Sequence, residues 1–187
     1  MTTPIFRSVN QALHFSYLMA TLPVSQKSQM EAIYRQGGKR VVFDDYHHST
    51  IHFGGLSPLE VRGQCAMVRG AVVDHLVEQE RQAVLARYSF RTEKALAVRA
   101  MRDYSLPLLS CQDEWPTIAM AWSIFGTDQQ RDGLSVRIIA DEYCLSKSAV
   151  ARDVGEIRRT ARTLENRARD KLSDLFRLHG LIGIDDA

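Results

Sequence analysis

Apolar residues recur at intervals of three and four along most of this chain, the spacing that lines one face of an α-helix. Phe6, Val9, Leu13, Tyr17 and Ala20 form the first such row. Leu22 and Pro23 close it, because proline disfavours helical geometry in the residue before it. A second helical piece over residues 27–35 stops at Gly37 and Gly38. Residues 40–43 and 50–53 follow as two short extended runs, which make either a small β-hairpin or a long loop. Ser57, Pro58 and Glu60 then spell a helix start, with a capping hydroxyl, a proline suited to the first turn and a carboxylate placed for a capping box. Val61, Cys65, Val68, Val72 and Leu76 continue as its buried row.

Further helices are expected over residues 80–88 and 92–104, the second ended by Pro107. Asp113 and Glu114 stand where a helix dipole favours acids, and residues 117–125 are apolar nearly all round, as in an enclosed helix. Trp115 and Trp122 are expected in the core, and Glu78, Glu80 and Glu93 on solvated faces. The pattern predicts a mainly α protein. Residues 1–108 form a helical partner-binding or oligomerisation region with the small β-hairpin, and residues 109–187 form a second part ending in a long helix.

The most informative stretch lies in that second part. Val136, Ile139, Ala140 and Tyr143 share one helical face, with Ala140 small where two crossing helices approach closely. Cys144 and Leu145 make a tight turn, Ser146 caps the next helix, and Val150, Val154 and Ile157 face back toward the first. Two short helices crossing through such a turn follow the helix-turn-helix plan. Lys147, Ser148, Ala151 and Arg152 lie on the outward face near the start of the second helix, the end that enters a major groove. Arginine can bond guanine twice, serine can reach bases or phosphate, and alanine admits a thymine methyl. Ser146, Arg137, Arg158 and Arg159 are the expected phosphate contacts. The plain alternative is a packed helix pair whose arginines face water.

The run Ser146, Lys147, Ser148, Ala149, Val150, Ala151, Arg152, Asp153, Val154, Gly155, Glu156, Ile157 resembles helix-turn-helix transcription regulators, in particular bacterial repressors and the promoter-reading domain of sigma factors. The resemblance covers residues 135–159 and implies a regulator that binds double-stranded DNA. Two positions depart from it. Cys144 stands where the turn often has glycine, which calls for a strained or altered turn, and Gly155 interrupts the second helix, marking a bend or a close backbone contact. In organisation the chain also resembles small bacteriophage late-gene regulators of the antitermination type, which implies RNA polymerase or a sigma factor as a partner. A protein-interaction adaptor or inhibitor without DNA affinity is the alternative from another class.

Beyond the turn, Ile157, Ala161, Leu164, Ala168, Leu172 and Leu175 keep the helical spacing up to Gly180, a natural stop. That helix either packs back on residues 117–125 or pairs with a second copy as a homodimer seam.

Composition changes this picture little. With 45% hydrophobic and 25% charged residues, the 187-residue chain is an ordinary globular protein, and a net charge of +2 does not by itself argue for nucleic acid. Its distribution says more: residues 147–177 concentrate arginine against Asp153, Glu156, Glu165, Asp170 and Asp174, which makes either a local attractor of phosphate or a solvated helix face of mixed charge. No apolar run is long enough to span a membrane, and the N-terminus shows no secretory leader, so the cytoplasm is the expected compartment. Cys65, Cys111 and Cys144 are isolated and expected to be free thiols.

Asp44, Asp45, His47, His48 and His52 form the densest set of metal-ligand types. Their spacing matches no zinc pattern, so they are read as hydrogen-bonding loop residues, with a metal nuclease the weakest alternative. No glycine-rich phosphate loop and no Gly-x-Ser-x-Gly nucleophile motif is present. An enzyme is not expected, and no cofactor or metal is assigned.

Overall fold

The computed structural model describes residues 4–22 and 56–183. Among these, the chain forms eight α-helices: α1 (Val9–Ala20), α2 (Pro58–His75), α3 (Glu78–Tyr88), α4 (Arg91–Ser105), α5 (Glu114–Phe125), α6 (Asp128–Arg131), α7 (Val136–Glu142) and α8 (Lys147–Leu178). A single 3-10 turn, Leu106–Leu108, follows α4. The mainly α expectation therefore holds for the described residues, whose one extended pairing is an isolated parallel bridge between Phe6 and Ile182. The expected helix over 27–35, the hairpin or loop at 40–53 and the Asp44–His52 cluster lie outside the described residues. No helix among the described residues is long and apolar enough to cross a membrane.

Contacts group the chain into two compact units, residues 1–71 with 172–187, and residues 72–171. In the first unit, Ser8 caps α1 by accepting from the Gln11 N–H, and Thr21 ends it. Two arginines of α2 bond backbone carbonyls of the α1 segment: Arg62 to Leu22 at 3.0 Å and Arg69 to Ser16 at 2.7 Å. The capping box at Ser57 forms as the sequence implies, with Glu60 accepting from the Ser57 N–H at 2.6 Å and the Ser57 hydroxyl accepting from the Glu60 N–H at 3.3 Å. Gly180, at φ +67°, reverses the chain after α8. The N–H groups of Gly180 and Leu181 then reach the carbonyls of Arg177 and Phe176, so the last helical turn is satisfied.

The second unit has one apolar cluster, and its membership explains the unit. Ala83 and Ala86 of α3, Ala97, Val98 and Met101 of α4, and Ala119, Met120, Ala121, Ile124 and Phe125 of α5 pack with Ile139, Ala140, Val150, Val154, Ile157, Ala161 and Leu164. Residues of α4 and α5 thus share one cluster. The same cluster settles the fate of the long helix. Its apolar row from Val150 to Leu164 belongs to the cluster that includes α5, and Val150, Ile157, Ala161 and, farther on, Ala168 and Leu172 are all essentially inaccessible. A homodimer seam along this row is therefore corrected: the chain's own packing has already buried it.

Two further expectations are corrected. Trp115 is 70% exposed, because it sits in the first turn of α5, before the enclosed part of that helix begins. Glu80 is buried rather than solvated, held by Lys171, whose Nζ donates to both carboxylate oxygens at 2.7–2.8 Å.

Candidate functional site

The helix pair α7–α8 is built by local signals on both sides of its turn. Ser135 caps α7 by accepting from the Ile138 N–H, and Ile139 and Ala140 turn inward to full burial. Residues 143–146 then reverse the chain. Cys144 takes φ +55°, the left-handed region in which a Cβ is unfavourable by roughly 1–2 kcal/mol. The strained turn expected at a non-glycine residue is therefore present. Closure is completed by the Leu145 N–H, which donates to the Ala140 carbonyl at 2.9 Å. Ser146 caps α8, its hydroxyl accepting from the Ala149 N–H at 3.2 Å. Val150, Val154 and Ile157 are buried against the cluster that holds Ile139 and Ala140.

The second helix of the pair and the terminal helix are one element. α8 runs unbroken for 32 residues, through Gly155. A Cβ at Gly155 would meet nothing within 4 Å, so the close backbone contact expected there is absent among the described residues.

Every sequence-nominated residue of the outward face is exposed. Lys147, Ser148, Ala151 and Arg152 occupy the first two turns of α8, and Arg158 and Arg159 follow one turn on. Arg137 lies on α7 and Ser146 at the α8 cap. The turn thus gathers Arg137, Ser146 and Lys147 at one end, with Asp141 between the two cations: its carboxylate lies 3.8 Å from Arg137 and 4.0 Å from Lys147. All three side chains are more than half exposed, so these pairs hold the cations weakly and leave them free to exchange partners. Arg159 is engaged more closely, donating to Glu156 at 2.8–2.9 Å.

One residue of the helix pair was not singled out by the sequence pattern. Asp153, beside Arg152, is 1% exposed. Its carboxylate accepts from the Ser110 N–H at 3.0 Å, the Ser110 hydroxyl at 2.9 Å and the Cys111 N–H at 3.0 Å. A buried carboxylate is tolerable only when its lone pairs are used, and here they clamp the segment before α5 onto the second turn of α8. The clamp fixes the helix whose outer face carries Arg152. Asp153 stands three positions after Val150 and four before Ile157, on the buried face, so the helical spacing could have marked it as enclosed, whereas its partners, 42 and 43 positions away, could not be read from that spacing.

Chemically, this surface offers cations, hydroxyls and the unpaired N–H groups of a helix start, and no nucleophile–base arrangement. No group of three or more metal-ligating side chains occurs among the described residues. No protein-family model matches the chain, and no curated protein is significantly similar to it.

Proposed function

We propose that this protein is a sequence-specific DNA-binding transcription regulator of bacterial or bacteriophage type, reading duplex DNA with the first turns of α8. The observation that carries the reading is the division of α8 into two faces. Val150, Val154 and Ile157 are buried, while Lys147, Ser148, Ala151 and Arg152 are exposed together beyond a capped turn. Burial fixes the helix, and the exposed face is free to enter a major groove.

In this reading Lys147, Ser148, Ala151 and Arg152 meet base edges, and Arg137, Ser146, Arg158 and Arg159 meet phosphates. The Ser146 hydroxyl accepts at the helix cap and shares a 3.3 Å hydrogen bond with the Ser148 hydroxyl, and the exposed pair can turn a proton toward a phosphate oxygen. Self-pairing through the buried apolar row of α8 is not part of this reading, and a monomer would need a second anchor. RNA polymerase or a sigma factor supplies one in a regulator of the antitermination type.

Substituting Arg152 by alanine tests the assignment. The expected result is a loss of about 1–3 kcal/mol in binding to the preferred duplex, with relaxed preference at one base position. Unchanged affinity and preference would remove Arg152 and the recognition face from the account.

The small net charge of +2 favours, as a second reading, a protein-interaction adaptor that uses the same helix pair without touching DNA. Salt separates the two, because phosphate contacts weaken steeply with ionic strength and an apolar protein interface does not.

A further inference from the structure

The exposed face of α8 does not end at its second turn. Ser148, Ala151, Gly155, Arg158 and Arg162 succeed one another at intervals of three and four, so they lie along one side of the helix. Four of the five are exposed and Gly155 is half-buried. The row contains no carboxylate. Within this part of α8 the acids lie elsewhere: Asp153 is buried in its clamp, and Glu156 holds Arg159. Neither Arg158 nor Arg162 forms an ion pair with a described residue.

Length decides what such a row can reach. From Ser148 the helix rises roughly 15 Å to Arg158 and roughly 21 Å to Arg162, at about 1.5 Å per residue. The major groove is only about 12 Å wide. A straight helix that enters the groove by its first turn and runs outward across it therefore carries these two arginines to the groove's border, where the phosphates are. Gly155 stands between the two groups, one turn after Ala151 and one turn before Arg158. Nothing inside the protein requires glycine there, since a Cβ would point into open space. Glycine is also unfavourable in the middle of a helix.

We infer that Arg158 and Arg162 grip the phosphate backbone bordering the groove entered by the start of α8, with Gly155 giving the strand room to pass. The inference rests on the DNA-binding reading and extends it. It adds Arg162 and Gly155 to the surface, and it gives α8 a second, sequence-independent contact about two turns beyond the base-reading one.

The test uses the full chain and a fluorescent duplex of random sequence, titrated at salt concentrations from about 50 to about 200 mM. Three variants are compared with the wild type: R152A, the double variant R158A/R162A, and G155Q. The double variant is expected to weaken random-duplex binding at least tenfold and to reduce the slope of log affinity against log salt by about 2. G155Q is expected to keep or raise the thermal midpoint, because glutamine is the better helix former, while binding falls about tenfold. That opposition of stability and binding is one a purely structural role for Gly155 does not produce. If R152A changes the sequence enriched from a random duplex pool while R158A/R162A and G155Q match the wild type in affinity and salt slope, the DNA-binding reading stands and this inference is overturned. If the wild-type chain binds no duplex even at the lowest salt, both are overturned.

Discussion

The two halves of α8 carry similar charged residues and use them in opposite ways. In the second half, Glu165 accepts from Arg87 at 3.1–3.2 Å, and Lys171 donates to the buried carboxylate of Glu80 at 2.7–2.8 Å. Both partners belong to α3, so these charges hold the helix to its neighbour. In the first half, Lys147 and Arg152 have carboxylate neighbours only at 4.0 Å, and Arg158 and Arg162 have none among the described residues. The buried row supplies the attachment there instead. Charge that stability does not use, gathered on one face of a rigidly seated helix, is what a polyanion can recruit. Arg159 and Glu156 pair with each other on the first half, and Asp153 alone of its charges is spent on holding a distant segment.

That exception gives the largest test of the comparison. Asp153→Ala leaves the Ser110 and Cys111 N–H groups without their acceptor, and a loss of about 3 kcal/mol is expected in chemical denaturation. A loss below 0.5 kcal/mol would mean that Asp153 belongs with the exposed charges beside it.

Next in size is Lys171→Ala, which strands the Glu80 carboxylate in its buried position. The Lys171 side chain is 47% exposed and the pair therefore partly screened, so the expected loss is about 2 kcal/mol rather than the larger figure for a fully enclosed pair. A thermal midpoint unchanged from the wild type would dissolve the contrast between the two halves.

Lys94 sharpens the comparison from another side, as a buried cation whose Nζ donates to the Ala86 carbonyl at 2.9 Å. Burial, reinforced by repulsion from Arg87 and Arg131, lowers its pKa from 10.5 to about 8. The folded chain releases this proton near pH 8, while the unfolded chain holds it to 10.5, so the unfolded state binds more protons between those values. Stability from this group therefore rises with pH across that window. Lys94→Met is expected to be more stable than the wild type at pH 7 by about 2 kcal/mol, with the difference shrinking as pH rises from 8 to 10.5. Denaturation curves at pH 7, 9 and 10 check this, and a difference independent of pH would contradict it.

The smallest expected effect belongs to the free face. Arg152→Ala and Arg162→Ala should each change stability by no more than about 0.5 kcal/mol, because neither side chain is held by a strong partner. A larger loss in either would show that the first half of α8 also uses its charges for the fold.

These differences also explain what could be read from the chain beforehand. The capping box at Ser57, the buried row from Val61 to Leu76, the turn at Cys144 and the stop at Gly180 are local features. Each depends on residues within a few positions, and each was legible in the spacing. So was the exposure of Lys147, Ser148, Ala151 and Arg152, since it follows from which residues of the same helix are apolar. The partners of Glu80 and Asp153, and the exposure of Trp115, were not legible. Glu80 is buried because of a lysine 91 positions away, and Asp153 because of a segment 42 to 43 positions away. Trp115 is exposed because the enclosure of α5 begins only after its first turn. Helical periodicity reports which face turns inward, but it carries no information about which polar group finds a distant partner there.

The central claim is that the free face of α8 reads DNA, and selection from a pool of random duplexes by the purified chain at low and at physiological salt tests it most directly. The account predicts that one sequence is enriched, that its binding weakens as salt rises, and that the enriched site is not palindromic, because the seam that would pair two copies is buried. Bound fractions with no enriched sequence at either salt would contradict it.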